Sequence, residues 1–102
     1  MTLISDLSEE CLLEQLMEEC GELVQASAKR LRILRGESPT PVTEEQNMEA
    51  LTEEIADVTL CMDVYKGKTL CEKNIRTIYS QKLKRWTERL NSVGNESAGP
   101  EV

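Results

Sequence analysis

Residues 16–23 read LMEECGEL, and residues 53–58 read EEIADV. Each stretch sets carboxylates one helical turn apart beside an apolar line. Glu18, Glu19 and Glu22 stand three and four residues apart, and Glu54 and Asp57 stand three apart. Residues at those spacings are neighbours on a helix surface, where like charges cost ~0.2–0.5 kcal/mol per pair. Five carboxylates on two helices that pack together would repel one another unless a cation stood between them.

Working outward from the first stretch, Leu12, Leu16, Cys20, Leu23, Ser27, Leu31 and Leu34 recur at steps of three and four. Leu13, Met17, Val24 and Ala28 widen the stripe. This predicts a long amphipathic helix. Ser5 or Ser8 caps it, Glu9 and Glu10 suit the dipole at its start, and Lys29, Arg30, Arg32 and Arg35 suit the end. Gly36 stops it. Projected round the helix axis, Glu19 falls at the edge of the stripe, with Glu22 and then Glu18 further round.

Residues 36–42, GESPTPV, carry one Gly and two Pro and form the internal linker. Thr43 with Gln46 fits a capping box for a second helix, whose stripe is Met48, Leu51, Ile55, Val58, Met62 and Tyr65. Glu54 and Asp57 lie on its border. Gly67 ends or kinks this helix, leaving room for a short extra helix near residues 67–71. Thr69 with Glu72 predicts the cap of a third helix. Its apolar face is Ile75, Ile78, Tyr79, Leu83, Trp86 and Leu90, flanked by a basic row, Lys82, Arg85 and Arg89. Residues 93–102 have no periodicity and are expected to be a disordered tail.

The expected architecture is therefore all-α, a bundle of three long helices in one domain over residues 1–92. Three helices leave an incomplete four-helix arrangement, which a second subunit would complete. The core must be aliphatic, because only 3% of residues are aromatic and Phe is absent. A net charge of -7 argues against a nucleic-acid-binding surface. No run is apolar enough to span a membrane and no signal-peptide core is present, so the chain reads as cytoplasmic. Cys11, Cys20, Cys61 and Cys71 form no C-x-x-C pair, and they read as structural or incidental.

With no His in the chain, the Glu-x-x-His pairs of di-iron bundles are excluded. An all-carboxylate set instead suits a hard cation, Mg²⁺ or Mn²⁺, and such sites serve phosphate chemistry. The bland alternative is a solvated acidic face, which explains either motif taken alone. Two features weigh against it. Ionised groups beside an apolar stripe are costly unless paired, and the row from Lys82 could meet phosphates. Snorkelling remains the simpler reading for Arg89.

E-E-x-G-E-L at residues 18–23 followed by E-x-x-D at residues 54–57 resembles the MazG-like all-α nucleoside-triphosphate pyrophosphohydrolases. The resemblance covers about residues 10–90. It implies Glu19, Glu22, Glu54 and Asp57 as Mg²⁺ ligands, with Mn²⁺ as a substitute. It implies Glu18 as a further carboxylate that recruits another metal or orients the attacking water, so that Glu18 and Glu19 count as catalytic. A K-x-x-R stretch gives Lys82 and Arg85 as contacts to the triphosphate, although Trp86 stands where some members carry a second Arg. The linker at 36–42 is longer than the family's. The implied reaction converts a nucleoside triphosphate to the monophosphate and pyrophosphate in nucleotide-pool housecleaning, by a homodimer or homotetramer. The alternatives are a non-catalytic helical interaction or regulatory protein on the same scaffold, and a metal-dependent hydrolase of another nucleotide-linked substrate.

Overall fold

Ser8 opens the first long helix, α1 (Glu9–Leu34), where its hydroxyl accepts from the Cys11 amide at 3.1 Å. This computed structural model describes residues 1–37 and 41–92. Ahead of α1, a 3₁₀ turn at Ile4–Asp6 is closed by the Leu3 amide donating to Asp6 Oδ2 at 2.9 Å. The other end of α1 stops at Gly36, whose φ of 61° lies in the left-handed region. There the Glu37 amide bonds Arg32 O and the Gly36 amide bonds Ile33 O, each at 3.1 Å. That double bond pattern is the Schellman stop, and it needs a residue without a Cβ penalty at the turn.

The second helix, α2 (Glu44–Thr69), starts from the expected capping box. The Thr43 amide donates to Gln46 Oε1 at 2.9 Å and the Gln46 amide to Thr43 Oγ1 at 3.1 Å. Gly67 neither ends nor replaces this helix. Nothing would touch an added Cβ there, and the helix runs through it to Thr69. Thr69 is thus the last residue of α2 rather than the cap of the next helix, and its hydroxyl bonds back to Tyr65 O at 2.8 Å. The short extra helix expected near residues 67–71 is absent for the same reason. Residues 38–40 of the linker and 93–102 of the expected tail lie outside the described residues.

α1 and α2 pack as an antiparallel hairpin. Tyr65 donates to Glu9 Oε1 at 3.0 Å, Asn47 Nδ2 to Ala26 O at 3.2 Å, and Arg30 pairs with Glu44 at 2.9 Å. As α1 advances, its partners on α2 retreat. Lys68 closes the far end by donating to Leu7 O and Ser5 O. Along the seam, Leu12, Leu16, Glu19, Leu23, Ala26 and Arg30 from α1 are buried or half-buried. So are Asn47, Leu51, Glu54, Val58, Cys61 and Tyr65 from α2. Both lines step by alternate fours and threes, the spacing of a helix that keeps one edge against a partner.

The stripe expected on α1 is two lines rather than one. Leu13, Met17, Val24, Leu31 and Leu34 are exposed, Met17 at 72%. They lie one residue beyond the seam, or about 100° round the helix. Met48, Ile55 and Met62 hold the same offset on α2 and are also exposed. In an antiparallel pair that offset turns both helices toward the same side, so the hairpin has one broad apolar side. Thr52 and Thr59 lie between those residues, and their hydroxyls bond Met48 O and Ile55 O at 2.8 and 2.7 Å, which leaves their methyls outward. Residues one before the seam face the opposite way and include Glu18, Glu22, Gln25, Lys29, Gln46, Glu53 and Asp57. That side is polar.

The chain divides into two compact units, Met1–Thr69 and Leu70–Val102. The second contains α3 (Glu72–Ser92), which begins three residues after Thr69. Arg76 pairs with Glu72 at 3.5 Å within it. Ile75 is half-buried, whereas Ile78, Tyr79, Leu83, Trp86 and Leu90 are exposed. The protein is all-α, with three long helices and no strand among the described residues. No helix among them is long and apolar enough to cross a membrane.

Candidate metal centre

Two of the seam positions that would continue the apolar contact carry acids. Glu19 arrives from α1 and Glu54 from α2, and Asp57 follows Glu54 by one turn. One carboxylate oxygen from each of the three lies within 4.8 Å of the others, and all three residues are half-buried. Gln15 donates from Nε2 to Glu19 Oε1 at 2.9 Å, one turn back on α1, and so orients that carboxylate. Glu54 Oε2 is buried with no hydrogen-bond partner.

The electrostatics follow from this crowding. Burial, and after it the negative charges of Glu19, Asp57 and Glu22, hold the Glu54 carboxyl above its ordinary value of 4.5. The Glu19 carboxylate pressing against it adds to the shift. The same acids act on Cys61, whose thiol is pushed up by burial first, then by Glu19, Asp57 and Cys20. A thiol held protonated is a poor metal donor, since the thiolate is the ligand. The donor set is therefore hard oxygen, and it suits Mg²⁺ or Mn²⁺ rather than zinc or copper. An orphaned carboxylate oxygen among like charges is a second reason that a cation fits.

The sequence-expected residues divide into three groups. Glu19, Glu54 and Asp57 come together, and Glu19 sits in the interhelical seam rather than at the edge of an apolar stripe. Glu22 is exposed and stands outside the three-oxygen cluster, yet its charge reaches Glu54 and it lines the groove beside it. Glu18 is exposed on the polar side of α1. Lys82 and Arg85 are exposed on α3, in the second unit.

That groove, about 100 Å³, runs from the carboxylates toward the linker end of the hairpin. Glu22, Gln25, Ala26 and Lys29 line one wall, and Gln46, Asn47, Ala50 and Glu54 the other, with Val42 at the end. Asn47 is 1% exposed and is the one buried polar residue among those described. Its Nδ2 is committed to Ala26 O, while its Oδ1 has no partner. An unsatisfied buried acceptor costs ~1–3 kcal/mol. Sequence reasoning missed Asn47, Gln25, Gln46 and Lys29. A signal for Asn47 was present, because it is a polar residue four before Leu51 on an otherwise apolar line. Lys29 gave none, since a Lys near a helix end has an ordinary dipole explanation.

No protein-family model matches the chain, and no match to it is found among curated proteins or solved structures.

Proposed function

We propose that the chain is a Mg²⁺-dependent nucleoside-triphosphate pyrophosphohydrolase of the MazG-like kind. The observation that carries this reading is the convergence of Glu19, Glu54 and Asp57 from two helices, with an unpartnered oxygen on Glu54. These three would hold the metal, with Glu22 the next carboxylate at hand. A divalent cation bound there supplies charge neutralisation for phosphate oxygens and a more acidic water. Gln15 keeps Glu19 turned into the cluster. Glu18, outside it, is the carboxylate assigned to orienting the attacking water or to recruiting a further metal. Lys82 and Arg85, on α3, are the cations assigned to the triphosphate. The reaction adds one water across the anhydride between the α- and β-phosphates, so that one P–O bond forms and one breaks. The monophosphate and pyrophosphate leave.

The reading extends to assembly and setting. The apolar side of the hairpin, Leu13, Met17, Val24 and Leu31 with Met48, Ile55 and Met62, is the surface assigned to a second copy in a homodimer or homotetramer. Free nucleotides in the cytoplasm are the proposed substrates, in nucleotide-pool housecleaning. The same apolar side also favours one competing reading, a non-catalytic helical interaction protein. Pyrophosphate release from a panel of ribo- and deoxyribonucleoside triphosphates, with and without Mg²⁺, separates the two. Metal-dependent release that Glu54→Gln abolishes is the expected result. Silence across the whole panel would sink the triphosphate hydrolase and leave the interaction protein or a metal-dependent hydrolase of another nucleotide-linked substrate.

A further inference from the structure

Three contacts set how far α2 is slid along α1. Glu9 meets Tyr65, Ala26 meets Asn47 and Arg30 meets Glu44, and on that register Glu19 stands level with Glu54. Apolar contact does not select it. Sliding α2 by one turn sets Leu12 against Tyr65, Leu16 against Cys61 and Ala26 against Leu51, so the seam still closes on apolar side chains. The same slide carries Glu19 against Val58 and Glu54 against Leu23, which separates the two acids. Without a cation, the repulsion between them therefore works against the register observed. Nor does the linker choose, because the nine residues 35–43 reach up to about 30 Å when extended, and one turn is about 5.4 Å.

Two of the three contacts end on exposed carboxylates, Glu9 and Glu44, where water competes for the same groups. The third is inside the seam. Asn47 is 1% exposed, and its Nδ2 donates to Ala26 O at 3.2 Å while Oδ1 has no partner. A leucine at this position would continue the apolar line and leave no acceptor unpaired, but it would fit either register equally well. The amide supplies direction instead, since a one-turn slide would carry it away from Ala26 O and break the bond. A single buried Asn in an apolar helix seam fixes register at some loss of stability. We infer that Asn47 is a positioning residue for the metal centre, its bond to Ala26 O holding the register that keeps Glu19 opposite Glu54 before any cation arrives. The inference rests on the proposed function in taking those carboxylates as the metal ligands.

The test compares wild type with Asn47→Leu by two readings. The first is the nuclear Overhauser effect between the Tyr65 ring and the Glu9 side chain in metal-free protein, which reports the register at the end of the hairpin far from Asn47. The second is Mn²⁺ affinity, taken from the electron paramagnetic resonance of the free ion. Wild type is expected to show the Tyr65–Glu9 effect and to bind Mn²⁺. Asn47→Leu, shown to be helical by circular dichroism, should lose that effect and bind Mn²⁺ about tenfold or more weakly. If either reading stays at its wild-type value in the folded variant, the inference is overturned and the metal centre stands. Should Asn47→Leu not fold, Asn47→Ala is read in the same way. If neither folds, Asn47 holds the hairpin together rather than choosing its register, and the inference falls. A wild type that binds no Mn²⁺ would remove the metal centre beneath the inference, and the inference with it.

Discussion

Glu19 and Glu54 face each other across the α1–α2 seam, on lines otherwise filled by residues such as Leu16, Leu23 and Val58. Burying two carboxylates where apolar contact would continue costs stability unless a cation or a proton intervenes. The first three predictions follow from that pair.

Replacing Glu54 by Gln removes a charge while keeping the shape. The metal-free variant is expected to melt at the wild-type temperature or higher, with hydrolysis reduced on the order of 100-fold or more, as loss of a ligand exceeds loss of a supporting contact. Calorimetry in chelator and a rate assay check the two halves. A variant that unfolds without metal would mean that Glu54 holds the hairpin together, and the centre would have to be abandoned.

The pH dependence has a definite sign. Because Glu54 titrates above 4.5 in the folded chain, the folded state binds that proton more tightly than the unfolded state does. The stability this contributes is complete below 4.5 and is lost as pH rises through the folded-state value. Metal-free wild type should therefore lose melting temperature relative to Glu54→Gln as pH climbs from 4.5 toward neutrality. Parallel curves for the two proteins would contradict it.

Mg²⁺ should reverse that loss. A ligand at 100 times its Kd stabilises the folded state by about 2.7 kcal/mol, which is several degrees in a domain of this size. Melting curves at increasing Mg²⁺ near neutral pH measure the effect, and Glu54→Gln should blunt it. Curves that superimpose from zero to tens of millimolar would be evidence against a metal centre.

Gly21 stands inside the acidic motif but does not depend on lacking a side chain, since nothing lies within 4 Å of an added Cβ. Gly21→Ala should raise stability by ~0.5–1 kcal/mol, because glycine in a helix interior loses more backbone freedom on folding. Denaturant titration reads it directly. A destabilised variant would reveal a close approach to that face in the working protein.

Placing a charge on the apolar side tests assembly. Val24→Lys and Ile55→Lys each put an ammonium where a second copy is proposed to pack, without touching the seam. Sedimentation should find wild type as a dimer or larger and the variants shifted to monomer. A wild type that already sediments as a monomer would remove the assembly proposal.

Much of this was legible in the chain. Helix-forming periodicity, the Thr43–Gln46 box and the Gly36 stop are local signals, each fixed by neighbours a few residues away, and the structure contains all three. Glu54 with Asp57, and Glu19, could be singled out because carboxylates beside an apolar line are costly anywhere. What stayed hidden depends on the partner helix. Two apolar lines on α1 are equally good on paper, and only α2 decides that Ala26 is covered and Val24 is not. Gly67 reads as a break and Thr69 as a cap, yet a helix held by Tyr65 and Lys68 passes through Gly67 and takes in Thr69 as its last residue. Asn47, four before Leu51, stood on the seam line in the sequence, but only the packing of α1 shows that its amide is buried against Ala26 O.

The hairpin also has a consequence for timing. Every contact that gathers Glu19, Glu54 and Asp57 lies within Met1–Thr69, between two helices joined through residues 35–43. Closing so short a loop is entropically cheap, and chains dominated by near-neighbour contacts fold quickly. During synthesis these carboxylates are therefore expected to meet once Tyr65 and Lys68 have emerged, while α3 is still inside the ribosome. A cation available at that moment would meet the three carboxylates already gathered, before α3 has emerged to fold.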